Sequence, residues 1–291
     1  MESLSILVFS DNPSVEETQL VVKELKKRGI NTELLSPWDI HFPKFLKRNF
    51  DLVYVPSNML HRGSSFELIH RLLILRRFEE NSRIINSVQS MVNYSKEHLT
   101  LQLRKNRINH PKTLITENLE KANEFALKNL QSGKEVIIKP ICKARGVGVS
   151  RLSRIWENNE LNQYLLWYAR KQGQGVFYLQ EHVPNFGFDI RCLVVGGQVI
   201  GREKRSNPTD FRYNVAVGGN TEPYDCSKYD ELAISVAEIV GLDITGLDIL
   251  PGIDKIDYVL EANAYPGYKA LMETTGINIH EKIVDYLISL L

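Results

Sequence analysis

Apolar and polar residues alternate along the first third of the chain in a way that predicts short strands separated by helices. Apolar runs at residues 4–9, 32–35, 52–55 and 83–86 are typical of buried strands. Val15, Val22 and Leu25 share one helical face, and that helix is predicted to stop at Gly29. A second helix, rich in Leu and Ile, is predicted over residues 65–80. This alternation predicts an open, largely parallel α/β sheet over residues 1–88.

The rest of the chain predicts further helices, strands and two hairpins. Helices are expected at residues 95–106, 118–130, 157–171, 229–240 and 278–289, and strands at 112–115, 135–140 and 176–183. One hairpin is predicted to turn at Gly196 and Gly197, with Asp189 and Arg191 on one face. Cys192, within an apolar strand, is predicted to lie in the core.

The second hairpin, residues 246–267, carries the most informative polar residues of the chain. Its strands flank a turn signal at residues 251–252, so Asp248 should lie close to opposite Glu261, and Asn263 should share the face of Glu261. Two carboxylates this close repel unless a cation lies between them. The oxygen-only set suits Mg²⁺ or Mn²⁺. The alternative is an acidic hairpin with solvated side chains.

Two other segments could bind anions. Residues 142–148 form a basic, glycine-containing loop between two predicted strands, which could cover phosphates, although a plain hairpin is the commoner meaning. Residues 62–65 could form an anion-binding turn or an ordinary helix N-cap. The first domain has no glycine-rich loop after its first strand, which argues against a dinucleotide site there.

Composition limits the class of protein. Apolar residues make up 43% of the chain and charged residues 24%, as in an ordinary globular protein. The net charge of +1 argues against a dedicated nucleic-acid binder. Cys142, Cys192 and Cys226 form no C-x-x-C pair, which disfavours disulfides and a zinc site and predicts a cytoplasmic location. The first residues predict a strand and not a signal peptide, and no apolar run reaches the roughly 18 residues needed to span a membrane.

Several motifs, taken together and in order, resemble the ATP-grasp superfamily and, within it, the RimK-type ligases. The resemblance begins near residue 95 and rests on Lys96, IIKPICKARGVGV, QEHV, DIRCLVV, EKR followed by DFRYNVAVGG, GLDIL and LEANAYPGYKALMETTGIN. It implies an α/β fold of the α+β ATP-grasp type. Residues 89–183 would form a central lid subdomain with the phosphate loop, and residues 184–291 a C-terminal subdomain with the metal site.

The resemblance also implies roles for individual residues. Contacts to the nucleotide would come from Lys96, Lys139, Arg145, Gly146, Gly148, Gln180, Glu181, His182, Val183 and Asp189. The hinge at residues 180–183 would hold adenine through backbone groups, including the amides of His182 and Val183. The usual ribose-binding acid is missing after the hinge, where Asn185 or Asp189 would substitute. The metal ligands would be Asp248, Glu261 and Asn263, with Glu261 bridging two Mg²⁺ ions. The residues nearest the reacting groups would be Arg191, Arg205 and Asn214.

The reaction implied is ATP-dependent amide formation through an acyl phosphate. The residues resemble most closely the archaeal coenzyme ligases that add L-glutamate to a tetrahydromethanopterin-like acid. Deazaflavin-coenzyme and ribosomal-tail ligases are the alternatives within the family. A nucleotide-binding regulatory module without turnover is an alternative of another class. The expected partners are a small acid and L-glutamate, without nucleic acid or membrane. The sequence leaves the oligomeric state open, and a homo-oligomer, common in such ligases, is one of the alternatives.

Overall fold

The computed structural model describes residues 4–41, 48–141, 146–153, 156–225 and 227–291. The predicted phosphate loop, including Arg145, therefore lies partly outside the described residues. Within the described ranges, the strands form three sheets.

The first sheet is four-stranded and parallel, in the order β2-β1-β3-β4. Its strands are β1 (Ser5–Phe9), β2 (Asn31–Leu35), β3 (Leu52–Tyr54) and β4 (Arg83–Ile85). The accompanying helices are α1 (Glu16–Lys27), α2 (Ser65–Glu79) and α3 (Val88–Asn93). The sheet confirms the parallel α/β fold predicted for this part of the chain. The short helix α3 was not predicted.

Helix α2 begins at an ordinary N-cap, the simpler of the two readings of residues 62–65. The backbone nitrogen and the hydroxyl of Ser64 donate to the carboxylate of Glu67, at 2.8 and 2.9 Å. Ser64 in turn accepts from the backbone nitrogen of Glu67. The carboxylate of Glu67 therefore already lies at the first turn of the helix, where a bound anion would otherwise be placed.

The second sheet is four-stranded, in the order β5-β8-β6-β7, with antiparallel pairs. Its strands are β5 (Thr113–Thr116), β6 (Val136–Lys139), β7 (Ser150–Leu152) and β8 (Phe177–Glu181). Helices α5 (Leu119–Gln131) and α6 (Asn158–Gln172) pack on one face, where they share a core with β6 and β8. Helix α4 (Lys96–Lys105) precedes this sheet in the chain.

The third sheet is antiparallel and five-stranded, in the order β11-β10-β9-β12-β13. Its strands are β9 (Phe188–Val195), β10 (Gln198–Ser206), β11 (Asn220–Pro223), β12 (Ile244–Pro251) and β13 (Asp257–Asn263). Helices α7 (Asp230–Val240), α8 (Lys269–Thr275) and α9 (Ile279–Ser289) accompany it. Both predicted hairpins are present. The short elements β11 and α8 were not predicted.

The two faces of the third sheet have different surroundings. One face buries Ile190, Cys192 and Val194 against α7 and α4, which confirms the core position predicted for Cys192. Leu99 and Leu103 of α4 join this core, so that helix packs on the third sheet. The opposite face carries charged side chains at one end and apolar ones at the other. The boundaries at residues 88 and 183 stay a prediction.

Asn86 connects the first sheet to the third. Its side-chain nitrogen donates to the carbonyls of Ile244 and Ala264, each at 3.0 Å, and its side-chain oxygen accepts from the backbone nitrogen of Ile244 at 2.8 Å. All of these groups are buried. The residue after β4 is thereby held against the start of β12 and against Ala264, which follows β13.

None of the helices in the described ranges is both long and apolar enough to cross a membrane.

Candidate active site

A row of charged side chains crosses the third sheet at one level. Asp248 on β12 lies opposite Glu261 on β13, as the hairpin pattern predicts. On its other side Asp248 lies opposite Arg191 of β9, and Arg191 lies opposite Glu203 of β10. Because residues in register on neighbouring strands point to the same face, Glu261, Asp248, Arg191 and Glu203 form a continuous line.

Two guanidinium groups neutralise the centre of this row. Arg191 donates to both oxygens of Asp248, at 2.8 and 2.9 Å. Arg205 donates to both oxygens of Asp189, at 2.8 and 2.6 Å, and also lies 3.0 Å from Asp248. Burial by itself would raise the pKa of Asp248, but the two arginines outweigh it and lower that pKa. For Asp189 burial prevails, and its pKa is raised despite Arg205.

Two lysines hold positive charge at the other end of the row. The ammonium of Lys96 lies 2.8 Å from a carboxylate oxygen of Glu261. Burial opposes the ionisation of Glu261, yet the charge of Lys96 keeps the pKa of Glu261 below its usual value. Lys139, at the end of β6, faces the same region. The two lysines predicted to contact phosphates are therefore brought to the two carboxylates predicted to bind metal.

The three predicted metal ligands supply oxygen atoms that suit a hard divalent cation. Asp248 and Glu261 contribute carboxylates, and Asn263 follows Glu261 by two residues on the same strand. The hydroxyl of Tyr94 donates to the side-chain oxygen of Asn263 at 3.1 Å. A carboxylate has more lone pairs than the arginines and Lys96 occupy, so these groups can still bind Mg²⁺. The donor set therefore fits the metal that the sequence implies.

A cleft between the second and third sheets lies over Glu261 and Asp248. Its empty volume is about 820 Å³, including space open to solvent. The predicted nucleotide contacts that line it are Lys96, Lys139, Gly146, Gln180, Glu181, His182, Val183 and Asp189. Gly148 lies nearby, next to Val149 of the lining. The structure thus brings the described members of the predicted set to one cleft.

The hinge offers fewer free groups than the sequence suggests. The amide of His182 donates to the carbonyl of Glu135, and the amide of Glu181 donates to the carbonyl of Lys112, each at 2.9 Å. The carboxylate of Glu181 pairs with Lys112 and Lys134, at 2.9 and 2.8 Å. Within the described ranges, the backbone N–H of Val183 donates to no acceptor. The Val183 amide is therefore the better candidate for reading an adenine edge.

The two residues considered as substitutes for the ribose-binding acid differ in availability. Asp189 is buried and engaged by Arg205. Asn185 lines the cleft, where its side-chain oxygen accepts from the hydroxyl of Tyr213 at 2.6 Å. Both residues line the cleft, but Asn185 is only half-buried, and this greater exposure favours Asn185 over Asp189 for a polar contact with the nucleotide.

The glycine loop is tied to the segment that carries Asn214. Arg212 donates to the carbonyl of Gly146 at 3.0 Å. Gly146 and Gly148 both have positive φ, and a Cβ on Gly146 would lie 3.2 Å from the side-chain oxygen of Asn214. A Cβ on Gly148 would meet Pro140 at 2.7 Å. Backbone conformation and close contacts therefore both require glycine at these positions.

A second, larger cleft adjoins the first and faces the first sheet. Its empty volume is about 1790 Å³, including open solvent. Both clefts are lined by Glu261 and Asn214. Arg191 and Arg205 line the second cleft, together with Arg62 and Asn58 of the first domain. Of the predicted catalytic residues, Asn214 therefore lies where the two clefts meet, and Arg191 and Arg205 line the second cleft.

Three residues of this region are absent from the predicted set. Tyr94 reaches Asn263 from the segment before α4, Arg212 reaches the glycine loop, and Glu203 ends the charged row. Arg212 and Glu203 stand close in sequence to predicted residues, and alternation along β10 puts Glu203 on the face of Arg205. For Tyr94 the sequence offers no comparable signal.

The charge of Lys139 predicts a pH dependence of nucleotide binding. Burial lowers the pKa of Lys139 to about 8, although Glu261 opposes the shift. Below that pH the side chain is cationic and attracts phosphate; above it the charge is lost. We expect the affinity for ATP to fall by up to roughly tenfold per pH unit above pH 8. Titration calorimetry with ATP across this range measures the effect.

Lys139→Arg is the matched control, because a guanidinium stays charged throughout this range. Its affinity for ATP should be nearly constant between pH 7 and 10, whatever its absolute value. An equally steep loss in the arginine variant would show that another group causes the dependence.

Comparison with known proteins gives one consistent result. Residues 95–287 match the family model of the RimK-like ATP-grasp domain. The chain is 29% identical to tetrahydromethanopterin:alpha-L-glutamate ligase of Methanococcus maripaludis, over 93% of this chain and 94% of the relative. It is 26% identical to a probable alpha-L-glutamate ligase of Rhodopirellula baltica, over 98% of this chain and 71% of the relative.

The fold is similar to those of solved ATP-grasp proteins. The ligase PsnB complexed with a minimal precursor superposes with a TM-score of 0.74 at 22% identity, covering 100% of both chains. A RimK domain protein of Sphaerobacter thermophilus superposes with a TM-score of 0.71 at 16% identity, covering 97% of this chain and 98% of that one. PsnB was also solved with Mg and ADP. ATP-grasp ligases use ATP and Mg²⁺, the substrate and metal that the sequence implies. Since the family model extends from the helix that carries Lys96 almost to the last residue, the chain belongs to the RimK-like ATP-grasp family and is an ATP-dependent amide ligase.

Proposed function

We propose that the protein joins L-glutamate to the carboxylate of a coenzyme-sized acid of the tetrahydromethanopterin type. The observation that carries the proposal is the junction of the two clefts at Glu261 and Asn214. One cleft holds the lysines and the hinge suited to ATP. The other is lined by Arg62, Arg191 and Arg205, which suit acidic substrates, and the two meet beside the oxygen ligands.

The chemistry needs no nucleophile from the protein. A carboxylate oxygen of the acid attacks the γ-phosphorus of ATP, the bond from that phosphorus to ADP breaks, and an acyl phosphate forms. The amine nitrogen of glutamate then attacks the acyl carbon, the bond to phosphate breaks, and the nitrogen gives up its extra proton to solvent. Positioning and charge stabilisation carry both steps.

The residues at the junction divide these tasks. Lys96 and Lys139 contact the phosphates, and the loop that includes Arg145, Gly146 and Gly148 covers them. Asp248, Glu261 and Asn263 would hold two Mg²⁺ or Mn²⁺ ions, and such ions would supply positive charge to neutralise the transferring phosphoryl group. Arg191, Arg205 and Asn214 lie on the side of the acid.

Arg191 and Arg205 connect the metal ligands to the acid through a shared carboxylate. Both donate to Asp248, and both line the second cleft. A guanidinium has five donors, so each arginine keeps N–H groups for a substrate carboxylate or phosphate. This arrangement supports an acid as the substrate of the second cleft.

The identity of both substrates is supported by the relatives named as glutamate ligases and by the positive charges that line the second cleft. Deazaflavin coenzymes and protein C-termini present the same carboxylate and are the competing acceptors. A regulatory module without turnover would not need to keep Lys96, Lys139, Asp248, Glu261 and Asn263 around one cleft.

The test is a screen of candidate acids with ATP, Mg²⁺ and L-glutamate. Product is read by mass increment, and ADP release is followed in parallel. We expect acceptor-dependent ADP release and a glutamyl mass increment with a pterin coenzyme acid. Product with a deazaflavin or a peptide terminus instead would reassign the acceptor. Bound ATP with no ADP release for any acid would favour the regulatory module.

A further inference from the structure

Glu203 lies at one end of the charged row and differs from the other members because one of its carboxylate oxygens has no partner in the described part of the chain. It is 2% exposed, and it lines the second cleft. Its Oε2 is buried without a hydrogen-bond partner among the residues that the structure describes. Buried polar atoms in native proteins are nearly always paired, so an orphaned carboxyl oxygen facing a cleft indicates a missing ligand.

The two arginines nearest Glu203 each make a bidentate pair with another carboxylate. Arg191, directly opposite on β9, donates to both oxygens of Asp248. Arg205, two residues further along β10, donates to both oxygens of Asp189. Burial raises the pKa of Glu203, and the two arginines offset this only in part. A cation that brings its own N–H donors would stabilise the ionised carboxylate.

The position of Glu203 relative to the metal ligands narrows the choice of cation. Neighbouring strands lie about 4.8 Å apart, so Glu203 is two strands, or roughly 10 Å, from Asp248 along the row. An acyl phosphate held at Asp248 and an amine approaching its carbonyl can fill that span. A metal ion is a poorer match, because among the described residues Glu203 belongs to no group of three or more side chains that could together ligate a metal.

We propose that Glu203 binds the α-ammonium group of the incoming amino acid and so places its nitrogen beside the activated carboxyl group. The proposal rests on the proposed function in one respect, that the amine substrate is an amino acid. It assigns the ammonium to Glu203 and leaves the substrate carboxylates to the cationic lining of the cleft. Binding thereby satisfies the buried oxygen that the free protein leaves unpaired.

The first test compares wild type and Glu203→Gln in two reactions. Hydroxylamine is uncharged at neutral pH and traps an acyl phosphate without an ammonium group. We expect E203Q to raise the KM for L-glutamate by about 10- to 100-fold, the range for losing a hydrogen bond between charged groups. Hydroxamate formation from ATP and the acid should change by less than about threefold. Equal losses in both reactions, or an unchanged KM, would overturn the proposal.

Glu222→Gln is the matched control. Glu222 lies on the neighbouring strand β11, opposite Lys204 and with its side chain paired to it. It belongs to neither cleft lining. This variant should keep the wild-type KM for L-glutamate, and a KM rise equal to that of E203Q would count against a specific contact.

The second test needs no acid acceptor. Binding of L-glutamate and of glutarate, which lacks the ammonium, is measured by calorimetry with Mg²⁺ and a non-hydrolysable ATP analogue. Wild type should prefer L-glutamate, and E203Q should lose that preference while binding glutarate unchanged. If this holds while every acceptor fails, the ammonium site stands and the proposed reaction falls. Equal binding of both compounds by wild type would overturn the ammonium site.

Discussion

The Glu261→Gln variant is expected to release ADP at least roughly 100- to 1000-fold more slowly than wild type with ATP, Mg²⁺ and acid present. Glu261 lies at the junction of both clefts, and it is the predicted bridge between two metal ions. Glutamine keeps the shape but presents one neutral oxygen in place of a charged carboxylate. The variant should therefore bind the metal ions less well, and the charge on the transferring phosphoryl group should be less well stabilised.

The same substitution should leave the fold nearly intact. Lys96 keeps an oxygen acceptor at the position where it now pairs with Glu261 at 2.8 Å. Lys96 loses the opposing charge, but the substitution also removes the repulsion between the carboxylates of Glu261 and Asp248, so a melting temperature within a few degrees of wild type is expected. Steady-state ADP release and a thermal melt on one preparation separate the two effects.

Asp257→Asn is the matched control on the same strand. Asp257 lies at the start of β13, where it pairs with Lys228 at 2.8 Å outside both cleft linings. This variant should retain wild-type turnover. Turnover persisting in Glu261→Gln would contradict the metal assignment, and loss in both variants would point to a damaged hairpin instead.

Local pattern predicts the strands of the second hairpin and part of its register. Asp248 lies opposite Glu261 as expected, but the register shifts between Asp248 and Ile249, and without this shift Leu260 would lie opposite Asp248. The parallel first sheet and the helices flanking the second sheet follow from hydrophobic period in the same way. These features depend on residues that are close together in sequence, so one sequence is enough to predict them.

The other hairpin shows where local pattern is insufficient. Its turn at residues 196–197 is predicted correctly, but the register of β9 and β10 shifts between Val199 and Gly201. A shift of one residue exchanges the two faces of a strand. Glu203 and Arg205 therefore face the cleft, whereas an unbroken hairpin would turn Arg202 and Lys204 towards Asp189 and Arg191. The residues of the turn do not predict this shift in register.

Contacts between distant segments are the other part that the sequence does not reveal. Tyr94 meets Asn263, and Asn86 binds the backbone of Ile244, across separations that no local pattern covers. The hinge illustrates the same limit. Which of its amides remains free depends on the neighbouring strands. The amide of His182, for example, donates to the carbonyl of Glu135.

Arg205→Met is expected to destabilise the protein by about 3–5 kcal/mol, the largest loss of stability that a single substitution should cause at this site. The Arg205 side chain is 2% exposed and the Asp189 side chain 6%. Removing the guanidinium leaves Asp189 as a buried charge without its bidentate partner, and Asp248 loses one of its two cations. Urea unfolding at constant pH measures the change.

Arg202→Met provides the comparison within the same strand. Arg202 also pairs bidentately with an aspartate, Asp230, but on the opposite face and with side chains 20% and 24% exposed. Solvent screens this pair, so its loss should cost about 1 kcal/mol or less. Similar losses for the two arginines would contradict the view that burial of the charge decides the effect.

The pH dependence of the Arg205→Met loss identifies its cause. Burial already raises the pKa of Asp189 in the intact site, and without Arg205 the rise should be larger. A carboxyl with a raised folded-state pKa favours the folded protein while it is protonated and loses that contribution as the pH rises. The stability difference between variant and wild type should therefore shrink as the pH falls from 8 to 5. A difference that stays constant over this range would indicate lost packing, because only an ionised Asp189 carries the cost of an unpaired buried charge.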